Sequence, residues 1–149
     1  NYKMSYIHKN LQTNETIEYK ANIHWFIFVM PIIGLAFGYI FYSTKTSLTH
    51  YTGLIILILS SFQLLKRLLF KISTEYVITN KRVILKSGIL SRDALELMVN
   101  KCEGLRINQS FIGRIFGFGS ILVTTGGVTN TFRFVANPIK FRNEINRQI

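Results

Sequence analysis

From Ala21 to Thr44 the chain carries no formally charged residue, and after Lys45 a second uncharged stretch runs from Thr46 to Leu65. Ile23 through Tyr42 supplies about twenty mostly apolar positions, enough at ~1.5 Å per helical residue to cross a hydrocarbon core ~30 Å thick. The second run is densest at Leu54 to Leu59, and its polar interruptions, Ser60, Ser61 and Gln63, fall toward the far end. A buried helix of a soluble protein would explain either run alone. Two of them, parted by a short polar loop, are hard to hide in a chain of 149 residues. The pattern predicts a transmembrane hairpin over 23–65, with spans at 23–42 and 46–65.

Trp25 near the start of the first run, Tyr39 and Tyr42 near its end, and Tyr51 at the start of the second sit where interfacial aromatic belts form. The loop from Ser43 to His50 holds one cation, Lys45, whereas Lys66, Arg67 and Lys71 follow the second run at once and Lys20 precedes the first. Under the positive-inside rule both chain ends then face the cytoplasm, in a multi-pass arrangement with the loop outside. The first run is long, begins well inside the chain and lacks a small-x-small motif after it, which argues against a cleaved signal peptide. Gly34 and Gly38 form a Gly-x-x-x-Gly step that lets two helix backbones approach closely. The face they mark would pack either on the chain's own second helix or on another subunit. Pro31, inside the first run, is expected to bend it. His24 and His50 have no carboxylate or cysteine at metal-site spacing, so they read as interfacial residues.

Hydrophobic residues make up 48% of the chain and charged residues 17%, a balance that excludes a disordered tail. The net charge of +11 raises nucleic-acid binding, but topology and lipid attraction already account for it, and no nucleic-acid partner is expected. With one cysteine, Cys102, there is no intrachain disulfide and no Cys-rich metal site. From Glu75 onward the period changes to two. Val83 and Leu85, then Leu95, Leu97 and Val99, then Leu105 and Ile107 alternate with their neighbours as half-buried strands do. Turn signals fall at Asn80-Lys81, Ser87-Gly88 and Gly126-Gly127, the last joining Ser120 to Thr125 with Thr129 to Val135, so the strands read as an antiparallel meander. Asn80 suits a turn because it tolerates a positive φ. Asn137 is placed to cap a helix over 138–149 that begins at Pro138 and carries Phe141, Ile145 and Ile149 on one face. Thr16 to Asn22 reads as one more strand, which would make the hairpin an insertion in the strand order. The organisation expected is therefore an N-terminal cytoplasmic segment (1–22), the hairpin (23–65) and a β domain (66–149), with Asn1 to Asn10 showing no periodicity.

Glu15 to Tyr19, then His24-Trp25 opening the hydrophobic hairpin, the run from Glu75 through Thr79-Asn80-Lys81-Arg82 to Val83, and Gln109-Ser110 with Gly113-Arg114 and Gly117-x-Gly119 resemble the bacterial pleckstrin-homology-like membrane proteins. The resemblance spans nearly the whole chain. It implies a membrane α+β protein, a two-helix hairpin joined to a PH-like bent antiparallel β-barrel or sandwich of about seven strands with a C-terminal helix as its cap. It also implies residence in the bacterial cytoplasmic (inner) membrane, a role as a tethered interaction domain, and ring-like homo-oligomers of the kind related domains form. Some relatives carry two or three copies of the domain, whereas this chain has one.

Lys66, Arg67, Lys71, Lys81, Arg82 and Lys86 lie at the membrane exit and on the first hairpin after it. Beside an anionic leaflet each such charge is attracted by about 1 kcal/mol, so the set would either orient the domain on lipid or merely enforce topology. Gly34, Gly38, Gly113, Arg114, Phe116 and Phe118 are the candidate oligomer or partner interface, with an exposed Phe as anchor. Glu96 is expected on a polar strand face and Asp93 and Glu103 near loops, with Arg92, Lys101 and Arg106 close enough in sequence to act as counter-ions. The sequence holds no phosphate loop, no nucleophile elbow and no histidine in the β domain, so no catalytic residue, metal or cofactor is assigned. A non-enzymatic scaffold contacting membrane lipids, its own copies or a protein partner is the function these features favour. The alternative is a small channel or transport component whose pore the hairpins line, against which the absence of an ionisable residue near either span's centre argues.

Overall fold

The computed structural model describes residues 11–44, 46–87 and 93–149. Lys45, the Ser87-Gly88 turn, Arg92 and residues 1–10 therefore fall wholly or partly outside the described residues. The chain divides into two compact units, one built on residues 23–74 and the other on 11–22, 75–86 and 94–149.

The helical unit begins with a 3-10 turn, Trp25–Phe28, followed by α1, Val29–Tyr42, and α2, Ser47–Ser73. Pro31 falls in the first turn of α1, where its missing N–H has no intrahelical acceptor to lose. The proline thus sits just after the change from 3-10 to α geometry. The second helix does not stop at 65 but continues through Ser73, so Lys66, Arg67 and Lys71 ride on its last turns. The two helices pack along their small residues. A methyl added at Gly34 would collide with the Ser60 side chain, one at Gly38 would lie 3.0 Å from Leu57, and one at Gly53 would lie 2.7 Å from the Tyr42 Cα. Where the helices turn, His50 Nδ1 sits 2.8 Å from the Tyr42 carbonyl oxygen and its ring 4.3 Å from the Tyr42 ring.

The sheet unit holds seven strands among the described residues, in two antiparallel sheets and not a closed barrel. The first sheet has the order β1 (Ile17–Ala21), β2 (Glu75–Thr79), β3 (Arg82–Ser87) and β4 (Asp93–Met98); the second has β5 (Cys102–Asn108), β6 (Phe118–Thr125) and β7 (Val128–Ala136). β1 pairs with β2 although the helical unit lies between them in sequence, with Ala21 opposite Tyr76. Gly126 and Gly127, at φ 58° and 76°, make the tight β6–β7 turn in a conformation that costs glycine little. A short helix α3, Phe111–Phe116, links β5 to β6, and α4, Pro138–Gln148, closes the chain.

Alternation decides what is buried. Ile121 and Val123 of β6, Phe132 and Val135 of β7, and Ile78 and Val83 of the first sheet are fully enclosed. Phe141 and Ile145 of α4 are too, whereas Ile149 beyond the helix end is exposed. Four rings tie the layers together. Phe141 lies 6.2 Å from Tyr19 and 5.6 Å from Phe132, and Phe132 lies 5.3 Å from Tyr76, whose hydroxyl donates to the Arg133 carbonyl oxygen. On the other face of the first sheet, Val77 and Ile84 form a second small cluster with Leu11 and Ile17. Asn137 caps α4 through its left-handed backbone (φ 58°), not through its side chain.

Candidate functional site

The turn after β2 is built from its own side chains. Thr79 Oγ1, fully buried, accepts the Lys81 and Arg82 N–H groups at 3.3 and 3.0 Å and donates to Glu15 Oε1 at 2.7 Å. Asn80 Oδ1 accepts the Thr16 N–H, Asn80 Nδ2 donates to the Asn14 carbonyl oxygen, and Lys81 Nζ donates to that of Thr13 at 2.8 Å. The turn therefore clamps the segment that leads into β1. The positive φ falls on Asn14 (60°) and not on Asn80, whose side chain does the work by bonding the 14–16 segment ahead of β1.

This clamp brings Arg82 against Glu15. The guanidinium donates through Nε to Oε1 and through Nη2 to Oε2, both at 2.8 Å, and through Nη1 to Glu96 Oε2. The Glu15 side chain is fully enclosed and that of Glu96 is 45% exposed. Burial pushes the Glu15 carboxyl up, but the Arg82 hydrogen bonds, the Gln12 N–H, the Thr79 hydroxyl and the Arg82 charge outweigh it and hold the group below its ordinary value. The same Glu15 contact raises Arg82. A cavity of about 430 Å³, open to solvent, lies against Arg82, lined also by Gln12, Asn80, Lys81, Glu96, Met98 and Gln148 among others. With Arg82 shared between two carboxylates and Lys81 bonded to a carbonyl, the hollow offers amide and carboxylate groups more than free positive charge.

The six cations chosen from the sequence divide between the two units. Lys66, Arg67 and Lys71 belong to the helical unit, where Lys66 Nζ lies 4.5 Å over the Phe62 ring and Lys71 Nζ 5.3 Å over that of Phe28. Lys66 and Arg67, with Gln63 and Phe70, border a shallow hollow of about 380 Å³. Lys81, Arg82 and Lys86 belong to the sheet unit, and of these Arg82 is turned inward as the centre of the ion-pair cluster. Its partners are 67 and 14 residues away, a distance no local spacing encodes. Arg82 is a cation facing Glu96, and Arg92 lies outside the described residues.

The small-residue and aromatic candidates also separate. Gly34 and Gly38 are occupied by the chain's own second helix, which leaves no room there for another subunit's backbone. Gly113 is buried with its Cα side 2.5 Å short of the Phe118 carbonyl oxygen were a methyl added, and Phe118 is buried at 8%, stacked 6.3 Å from Phe134. Phe118 is therefore a core residue and not a surface anchor. Arg114 and Phe116 are exposed, and so are Phe111, Ile112 and Ile115. The signal for α3 was present in its ends. The Ser110 hydroxyl accepts the Gly113 N–H at 3.1 Å and Gly117 takes the left-handed conformation that closes a helix.

A profile of the family described as Bacterial PH domain matches residues 25–149. The match takes in both apolar helices, six of the seven strands and α4, and the chain belongs to this family. No curated protein matches the chain, and no solved structure does.

Proposed function

We propose that the protein is a non-enzymatic interaction module tethered in the bacterial cytoplasmic membrane by α1 and α2, with its sheet unit on the cytoplasmic side. Membership of the bacterial PH domain family supports an interaction role in general. The observation that carries the tether is the exposure of the two helices, whose apolar windows are only 17% and 11% buried. A core helix of a soluble protein would be mostly covered. Here Met30, Phe37, Leu48 and Ile58 are more than half exposed along helices long enough to span. Lys66, Arg67 and Lys71 at the end of α2 support a cytoplasmic location for that end under the positive-inside rule. On this reading the module meets anionic lipid or a protein partner there and assembles with its own copies.

Alkaline carbonate washing of cell membranes, followed by light scattering of the nanodisc-inserted chain, tests both parts. Retention in the pellet and a defined multimer are expected. Release by carbonate would sink the tether, and a clean monomer would sink self-association while leaving the tethered module.

A further inference from the structure

Helix α3 is short, yet it is held firmly and turned outward. Ser110 and Gly117 fix its ends, and Gln109 Nε2 donates to the carbonyl oxygens of Gly113 at 2.9 Å and Phe118 at 3.1 Å. Gly113 is the face that docks on the sheet unit. At 100° per residue, Phe111, Ile112, Ile115 and Phe116 fall together on another face, and they are 77%, 50%, 64% and 47% exposed. Arg114 projects beside them. Large apolar side chains on a capped, anchored helix are a surface kept for something.

Two observations select the occupant. The four side chains expose a few hundred Å² in all, well short of the ~800 Å² each partner contributes to a standard protein interface, whereas a bilayer accepts a small apolar wedge without needing a complementary surface. The stretch of sequence that holds the helix carries charge of one sign: residues 104–143 include Arg106, Arg114, Arg133, Lys140 and Arg142 and no Asp or Glu. We infer that α3 is a membrane-contacting wedge, its Phe111, Ile112, Ile115 and Phe116 side chains entering the headgroup and upper acyl region of an anionic bilayer with Arg114 at the phosphate level. This rests on the tethered reading above, since a chain already held at the bilayer offers α3 that surface at high local concentration.

The test uses the full chain in vesicles of neutral or mixed anionic lipid, in a Cys102→Ser background. Single cysteines from Ile112→Cys on α3, Val128→Cys at the exposed β6–β7 turn and Ile58→Cys within α2 each carry an environment-sensitive fluorophore, and lipids brominated at defined depths quench it. The wedge predicts quenching at 112 by shallow bromines, corresponding to burial of ~5–10 Å, stronger in anionic vesicles, with 128 unquenched and 58 quenched by deep bromines. If 58 is quenched while 112 stays in water, the tether stands and the wedge is wrong. If neither is quenched, the tether fails and takes the wedge with it. Shielding at 112 without bromine quenching would mean that protein covers α3, which also overturns the proposal.

Discussion

The guanidinium of Arg82 is held by two carboxylates that differ in exposure, and they are not equivalent energetically. Glu15 is enclosed, so Glu15→Ala strands a buried charge and should cost about 3–5 kcal/mol of stability, whereas Glu96→Ala removes a half-exposed partner worth about 1 kcal/mol or less. Thermal unfolding of the two variants in one detergent checks the ranking. Because the Glu15 carboxyl is held below its ordinary value, its contribution is complete above the usual carboxylate range and is lost as pH falls through the depressed folded-state value. The wild-type unfolding midpoint should therefore drop on the acid side, and Glu15→Gln should lower it at neutral pH while flattening that acid limb. None of this could be read from the Thr79 to Arg82 motif, because a motif of four adjacent residues does not announce a partner 67 positions away.

At the scale of elements, the glycines of the helical unit meet different kinds of neighbour. A methyl at Gly53 would press on the Tyr42 backbone and the Phe41 carbonyl carbon at 2.8 Å, which cannot rotate away. One at Gly34 meets a serine side chain. Gly53→Ala should thus cost about 1–3 kcal/mol, Gly34→Ala less, and Ser60→Ala should recover most of the Gly34→Ala loss. Unfolding midpoints of the single and double variants test this. Were these glycines a subunit seam instead, the particle mass would change before the midpoint. The apolar runs and the period-two strands were legible because length and periodicity are local properties. Helix α3 was not, since six residues hold too few turns to show a period and only its caps identify it. The inward turn of Phe118 and the outward turn of Phe111 depend on how α3 docks through Gly113, which one-dimensional spacing does not contain.

For the whole molecule, the pairing of β1 with β2 makes residues 23–74 an insertion in the sequence of the sheet unit. Asn22 and Glu75 flank the paired Ala21 and Tyr76, and the Asn22 carbonyl oxygen accepts the Ala136 N–H at 2.9 Å. Replacing residues 23–74 with Asn-Gly closes an ordinary two-residue hairpin at that register. The product should be a water-soluble sheet unit that unfolds cooperatively and keeps the near-ultraviolet signal of Tyr19 and Tyr76 packed on Phe132 and Phe141. A soluble but non-cooperative product would show that the helices contribute to its core. The same pairing orders events at the ribosome. β1 and Glu15 are translated before either apolar helix, and their partners β2 and Arg82 only after both. The first strand must wait, unpaired and with its buried carboxylate still in water, until both helices have been made. Folding of the sheet unit is in this way timed by synthesis of the segment inserted within it.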